Sequence, residues 1–406
     1  MDQESSKAID YLASQIKRHH IVTKNVIDIV ESVHTGRLHE MSEEFTGNSL
    51  AYLASESNLE GYEAWGLCML FRKLVELGCT KKDVLARILN AVPRDMTNVT
   101  YDILQPNKLL TYCYQQQLFP KRFFDFTAKV TINNLNISSV HCCVLAFSKA
   151  GYVHQDFLRA VDKFLPGKLR EMDTDVLVDL VYGLSYMGWN TQQTFIAVGD
   201  ECVSRGVHAF SPSAIHEVLW SFYKTNTRHD GMLRDAAAHI VAHAPEFVRF
   251  MPGIIKYYCA LGVYDTQLFQ TIGLYLTPQM RSLETFEIVD TAEALARTRV
   301  QCKDFLSTMA YELVRRNAND QHDLAVAAWA MASLGVFNAY FLQAIANWLR
   351  TGAMKITQHR YGSMVMFAFA KFAYFDQRYV DWFRNEMHNR TEWTRMLDQN
   401  EMSLVP

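Results

Sequence analysis

Chain breakers are scarce in this sequence, with 9 prolines and 18 glycines among 406 residues. So few leave room only for short turns between long regular segments. Cysteines occur without motif spacing: the eight, at 68, 79, 113, 142, 143, 202, 259 and 302, form no CxxC pair. That excludes a zinc ribbon and a thioredoxin-type site. Most of them sit among apolar residues, as small core hydrophobes in a reducing compartment do. No run of 18 apolar residues exists, so no membrane span is expected. Neither charge sign dominates: 40 Lys and Arg face 43 Asp and Glu, for a net charge of −3. Proteins that coat nucleic acid without specificity are usually far more basic, so any nucleic-acid surface here must be local.

Catalytic signatures are missing too. There is no GxGxxG, HExxH, EF-hand loop or GxSxG, and Gly167-Lys168 lacks the upstream glycines of a phosphate loop. Carboxylates are plentiful but unassociated with glycine-rich loops. His239 and His243 in HIVAH stand four apart, a spacing that can bring two imidazoles to one metal, but no Glu or third ligand accompanies them. His19-His20 beside Lys17 and Arg18 reads as a solvated helix end. The expectation is therefore no catalytic residue, no metal, no cofactor and no small-molecule substrate. Asp2, Glu4 and Asp10 near the N-terminus argue against a secretory signal and against a usual mitochondrial presequence.

What the chain has in abundance is a repeated helical pattern. In FLRAVDKFL, Phe157, Leu158, Val161 and Leu165 fall at offsets 0, 1, 4 and 8, one apolar face of a helix. The pattern recurs from positions 84, 123, 157, 194, 232, 268, 305, 341 and 379, at spacings of 34 to 39 residues that average about 37. Only Thr127, Thr131 and Thr194 depart from apolar character. Six residues before each start stand Gly78, Gln117, Gly151, Gly188, Asn226, Gly262, Arg299, Gly335 and Ala373. Five are Gly and one Asn, the residues that best tolerate a left-handed helix C-cap. Four residues earlier again, every position is apolar, from Leu74 and Cys113 to Met331 and Phe369.

Each unit is thus a first helix, a cap, a turn of about five residues and a second helix. Such a pair buries both its stripes only by stacking on its neighbours. The expected fold is all-α, an α-solenoid of about nine helix-pair repeats of about 37 residues spanning 62–390. Residues 1–60 read as an N-terminal helical cap and linker, with helices near 5–19 and 22–34 and a loop at 39–49. Residues 391–406 read as a C-terminal cap and tail. Strand signals are nearly absent. VTINNL (130–135) alternates briefly but falls at the end of a second helix.

Repeat proteins bind through equivalent positions of successive units. Two residues before the caps lie Glu76, Gln115, Lys149, Tyr186, Lys224, Ala260, Arg297, Ser333 and Lys371, four of them basic. One turn earlier lie Arg72, Thr111, Leu145, Tyr182, Trp220, Lys256, Glu293, Trp329 and Phe367. Cations interleaved with Tyr and Trp can contact phosphates and stack bases. Helix dipoles alone also favour cations at these C-terminal positions, and the aromatics could pack between units.

Paired helices at this period, with first helices ending in LSYMG, CALG and MASLG, resemble the heptatricopeptide and octotricopeptide repeats of organellar RNA-metabolism proteins. The resemblance covers about 62–390. It is also similar in style to helical-repeat components of kinetoplastid mitochondrial guide-RNA editing machinery and mitoribosomes. It implies a non-catalytic RNA-binding subunit of a mitochondrial ribonucleoprotein complex, engaged in RNA processing, RNA editing or the organellar ribosome. Some members carry a C-terminal RAP domain, for which 391–406 leaves no room. On that reading the partners are single-stranded RNA and other protein subunits. Lys149, Lys224, Lys256, Arg297 and Lys371 would meet phosphate, with Tyr186, Trp220 and Trp329 near bases. The alternative is a HEAT-like protein–protein scaffold, mitochondrial or cytoplasmic, with no RNA contact.

Overall fold

A computed structural model describes residues 82–92 and 106–374, with isolated positions at 67–68, 71–72, 74–75 and 377. The expected N-terminal cap, the Gly78 cap position, the repeat starting at 379 and the C-terminal tail lie outside the described residues. What is described is helical, joined by short turns, and contains no strand. VTINNL belongs to a helix and its C-cap.

The chain divides into two compact units, Met1–Val198 and Gly199–Pro406. The first contains α1 (Lys82–Asn90), α2 (Pro106–Gln116), α3 (Lys121–Asn133), α4 (Ile137–Ala150), α5 (Gln155–Phe164) and α6 (Thr174–Tyr186). The border falls within α7 (Gln192–Arg205). The second contains α8 (Pro212–Lys224), α9 (Asp230–Ala242), the short α10 (Ala244–Phe247), α11 (Met251–Ala260) and α12 (Thr266–Leu276). It continues through α13 (Thr285–Arg297), α14 (Lys303–Arg315), α15 (Gln321–Ser333), α16 (Ala339–Thr351) and α17 (His359–Lys371).

The repeat phase holds to the residue. The second helices α1, α3, α5, α7, α9, α12, α14 and α16 each begin two residues before the four-point apolar pattern. Every pattern position from Val84 to Leu349 is buried. The three threonine exceptions are buried as well, and their hydroxyls are satisfied. Thr127 donates to the Phe124 carbonyl, Thr131 meets Cys143 Sγ at 3.3 Å, and Thr194 donates to Asp162. A polar atom at these sites is tolerated only because it has a partner.

The first helices end in one shared geometry. All eight described cap positions have positive φ, from 47° at Ala373 to 77° at Gly188. The residue after each cap donates its backbone N–H to the carbonyl four residues before the cap: Leu118 to Cys113, Tyr152 to Phe147, Trp189 to Leu184, Thr227 to Phe222, Val263 to Tyr258, Val300 to Leu295, Val336 to Met331 and Tyr374 to Phe369. The cap N–H meanwhile reaches the carbonyl three residues back, as in Gly335 to Ala332. This is the Schellman motif, and the buried residue four before the cap is the one its hydrophobic contact requires. Phe147 and Tyr152 make that contact ring to ring at 5.0 Å, as do Phe369 and Tyr374 at 5.3 Å. Gln117, Arg299 and Ala373 hold the same conformation without glycine's freedom, so the motif is strong enough to impose it.

Second helices start on side-chain caps where the sequence provides them. Asp265 and Asn338 accept from the backbone N–H three residues on. His154 and His229 do the same through Nδ1, which requires that nitrogen to be unprotonated.

In each unit, like helices pack on like. In the first, α2 contacts α4 and α4 contacts α6, while α1, α3 and α5 pack in turn. In the second, α8, α11, α13, α15 and α17 form one consecutive layer and α9, α12, α14 and α16 the other. Each unit is therefore an α-solenoid-type array in which successive repeats bury their stripes against one another. Among the described residues the cysteines are free thiols. Burial pushes Cys202 up to about 12, which leaves it inert as a nucleophile.

One buried charge ties the layers of the second unit together. Glu312 on α14 is almost fully buried and meets Arg315 and Arg316 at 2.6 Å each. Arg316 extends to the Met280 carbonyl at 3.0 Å and to Thr285 at 3.3 Å, fixing the turn before α13. The hydrogen bond from Arg315 leads in holding the Glu312 carboxyl at about 2, below its usual 4.5. A depressed carboxyl stabilises the fold above its unfolded pKa and loses that contribution as pH falls toward its folded one. Screening at the exposed Arg315 trims the gain to about 2–3 kcal/mol. Glu312→Gln is expected to lower unfolding free energy by that amount at pH 7. The gap to wild type should close between about pH 4.5 and pH 2 in urea titrations. A second measurement addresses the caps. Arg299→Gly should raise stability and Gly262→Ala lower it, each by about 1 kcal/mol. Equal urea midpoints for the three proteins would contradict the cap assignment.

Candidate nucleic-acid interface

The positions two residues before each cap, and one turn earlier, sit at the C-terminal ends of the first helices. The structure separates them into three kinds. In the first unit, Lys149 is exposed in the last turn of α4. On the adjacent α6, Tyr182 and Tyr186 are 38% and 56% exposed, and their rings stack at 6.4 Å with 29° between planes. An exposed phenol pair offers apolar faces on the helix that packs against the one carrying Lys149.

In the second unit, Trp220 on α8 is half-buried, and the Lys224 ammonium lies 6.0 Å from its ring centroid. Lys371 is exposed in the last turn of α17. Among the described residues, no carboxylate pairs with Lys149, Lys224 or Lys371.

The remaining three expected contacts are engaged within the protein. Lys256 on α11 meets Asp290 on α13 at 2.9 Å. That hydrogen bond is the main reason its pKa is raised. Arg297 holds Glu293, one turn back on α13, at 2.6 Å, and its guanidinium lies 6.0 Å from the Trp329 ring on α15. Trp329 is only 5% exposed. Its indole packs between first helices and offers little face to a base, because α15 is alanine-rich and nearly all of it is buried.

The sequence reading missed an aromatic and imidazole cluster on α8 and α11. His216 stacks on Phe250 at 4.9 Å and meets Tyr257 Oη through Nε2 at 3.1 Å. Tyr223 stacks on Tyr257 at 5.0 Å, and Arg249 lies over Phe250 at 4.4 Å. Gly253 makes the room: a Cβ there would come 2.9 Å from the Tyr257 hydroxyl. Burial, then the nearby Arg249 charge, lowers the His216 pKa. The hydrogen bond itself depends on which helices become neighbours.

The HIVAH histidines are close, with ring centroids 4.3 Å apart, and His243 Nδ1 donates to the His239 carbonyl at 3.1 Å as a helix-end cap. Among the described residues, the one three-residue group spaced for a metal is Asp320, His322 and Asp323. There Asp320 caps α15 by accepting from the backbone of the other two.

No family model matches this chain, and no curated protein is significantly similar to it.

Arg249→Gln is expected to raise the His216 pKa toward its ordinary value, because it removes one of the two causes of the depression. Imidazole proton shifts followed by NMR over pH 4–8 would test it. An unchanged titration would mean that burial alone sets the value.

Proposed function

We propose that this protein is a non-catalytic, helical-repeat RNA-binding subunit of a mitochondrial ribonucleoprotein complex, engaged in RNA processing, guide-RNA editing or the organellar ribosome. The observation that supports it most is the recurrence of cations and aromatic rings at the ends of the first helices. Cations that no described carboxylate neutralises are Lys149 on α4, the helix that packs against α6 with its exposed Tyr182 and Tyr186, and Lys224, whose ammonium faces Trp220 on α8. Lys371 is exposed at the end of α17, one turn after Phe367. Single-stranded RNA suits such a surface: bases stack on exposed rings and phosphates meet the cations. The compartment and the partner subunits follow from the resemblance of the repeat to organellar families.

The second reading is a protein–protein scaffold without RNA contact. The neutralised pairs Lys256–Asp290 and Glu293–Arg297 favour it, since they leave no net charge at these two cation positions.

Binding of a 20-nucleotide single-stranded RNA, followed by fluorescence anisotropy across a salt series, separates the two. The triple variant Lys149→Glu, Lys224→Glu, Lys371→Glu should bind at least about tenfold more weakly at low salt and show a shallower salt dependence. Trp220→Ala should lose about 1–3 kcal/mol of affinity with little change in salt slope. Absence of RNA affinity in the wild-type chain at low salt would favour the scaffold.

A further inference from the structure

The charges on α11 and α13 alternate in a way the binding surface does not require. Arg297 occupies the same repeat position as the open cations and Lys256 the position one turn earlier, yet each is held by a carboxylate from α13. Asp290 crosses to Lys256 at 2.9 Å, and Glu293 takes both Nε and Nη2 of Arg297 at 2.9 and 2.6 Å. The carboxylates are the less exposed members, at 26% and 21%, against 47% and 51% for the cations. They are therefore the better fixed half of each pair, and the cations fold down onto them. Arg297 is pinned further by Trp329 beneath it. The remaining acidic groups near Lys256 are Glu293 again and the Tyr223 phenol.

A phosphate approaching this stretch meets a surface already neutralised. It would have to displace a carboxylate from each cation and would then lie beside that carboxylate. Charge-assisted pairs at these distances are short and strong, and a rival anion beside a fixed carboxylate is repelled. Among the described residues no carboxylate pairs with Lys224 on α8, whose ammonium faces an indole.

We infer that Asp290 and Glu293 form an acidic clamp that withholds Lys256 and Arg297 from the RNA surface. Contact in the second unit is thereby confined to the Trp220–Lys224 end on α8 and the Lys371 end on α17, with a neutral span between. This rests on the RNA reading above and specifies which part of the face it uses. The clamp limits both affinity and the number of phosphates engaged. It selects for strands that meet two separate contacts over those that need one continuous basic track.

The test uses the full chain and a 20-nucleotide oligouridylate. Asp290→Asn with Glu293→Gln replaces both carboxylates by amides of the same shape, which still accept hydrogen bonds from Lys256 and Arg297. Thermal melts establish that the variant folds. It should bind about tenfold more tightly than wild type at low salt, and its salt slope should steepen by about 1.4, the release expected for two added phosphate contacts on a single strand. Adding Lys256→Gln and Arg297→Gln to this variant should abolish the gain. If wild type binds and the amide variant matches it in affinity and slope, the clamp is wrong while the RNA reading survives. If the gain persists without Lys256 and Arg297, the carboxylates act by general repulsion and the clamp is again overturned. If neither protein binds, both readings fall. Should only one amide variant fold, Asp290→Asn alone is expected to add about half the change in slope, about 0.7.

Discussion

The backbone hydrogen bond from the residue after each cap to the carbonyl four residues before it organises this protein. It closes every described first helix, from Leu118–Cys113 to Tyr374–Phe369. It sets the angle at which the chain turns into the second helix and presses one apolar side chain of the first helix against the turn. Because the turn is the same each time, the second helix starts at the same phase and its apolar face meets the same neighbours. Burial of those faces supplies most of the stabilisation, at roughly 1.5–3 kcal/mol for each large apolar side chain. The hydrogen bond is small beside that sum, but the orientation it fixes decides whether the sum is collected.

That constraint also explains where the binding chemistry can sit. The last turn of each first helix carries its unsatisfied carbonyls toward the cap, and cations there complete the helix dipole. Lys149, Lys224, Arg297 and Lys371 occupy this turn for a reason that needs no ligand. Residues one turn earlier range from the exposed Tyr182 to the buried Trp329, and Tyr and Trp, with an apolar body and a polar edge, suit that range. Scaffold physics thus places cations and aromatics together, and function has only to leave some of them open.

Much of the architecture was legible in the sequence because the signal is periodic and local. The four-point pattern, the apolar position before the cap and the left-handed cap all lie within one repeat. Even the non-glycine caps Gln117, Arg299 and Ala373 were found by phase alone. The binding face was legible only in part, because pairing is not local. Glu293 and Arg297 stand four apart on one helix, a spacing visible in the sequence. Asp290 reaches Lys256 across 34 residues, and no pattern within one repeat announces it. Trp329 looked like its counterpart Trp220 by position. It is buried because the alanines of α15 bring the neighbouring helices close, while the larger side chains of α8 leave Trp220 half open.

The equivalence of the caps has an evolutionary meaning. When a segment begins and ends at the same point of a hydrogen-bonded turn, copying it in tandem creates no junction the chain does not already contain. The new copy meets its neighbours through surfaces already matched to each other, as far as their side chains agree. Length in such a protein is an adjustable quantity, and so is the number of positions at which a cation or a ring can be offered. A duplicated repeat would arrive with its capping turn complete and its outward residues free to diverge.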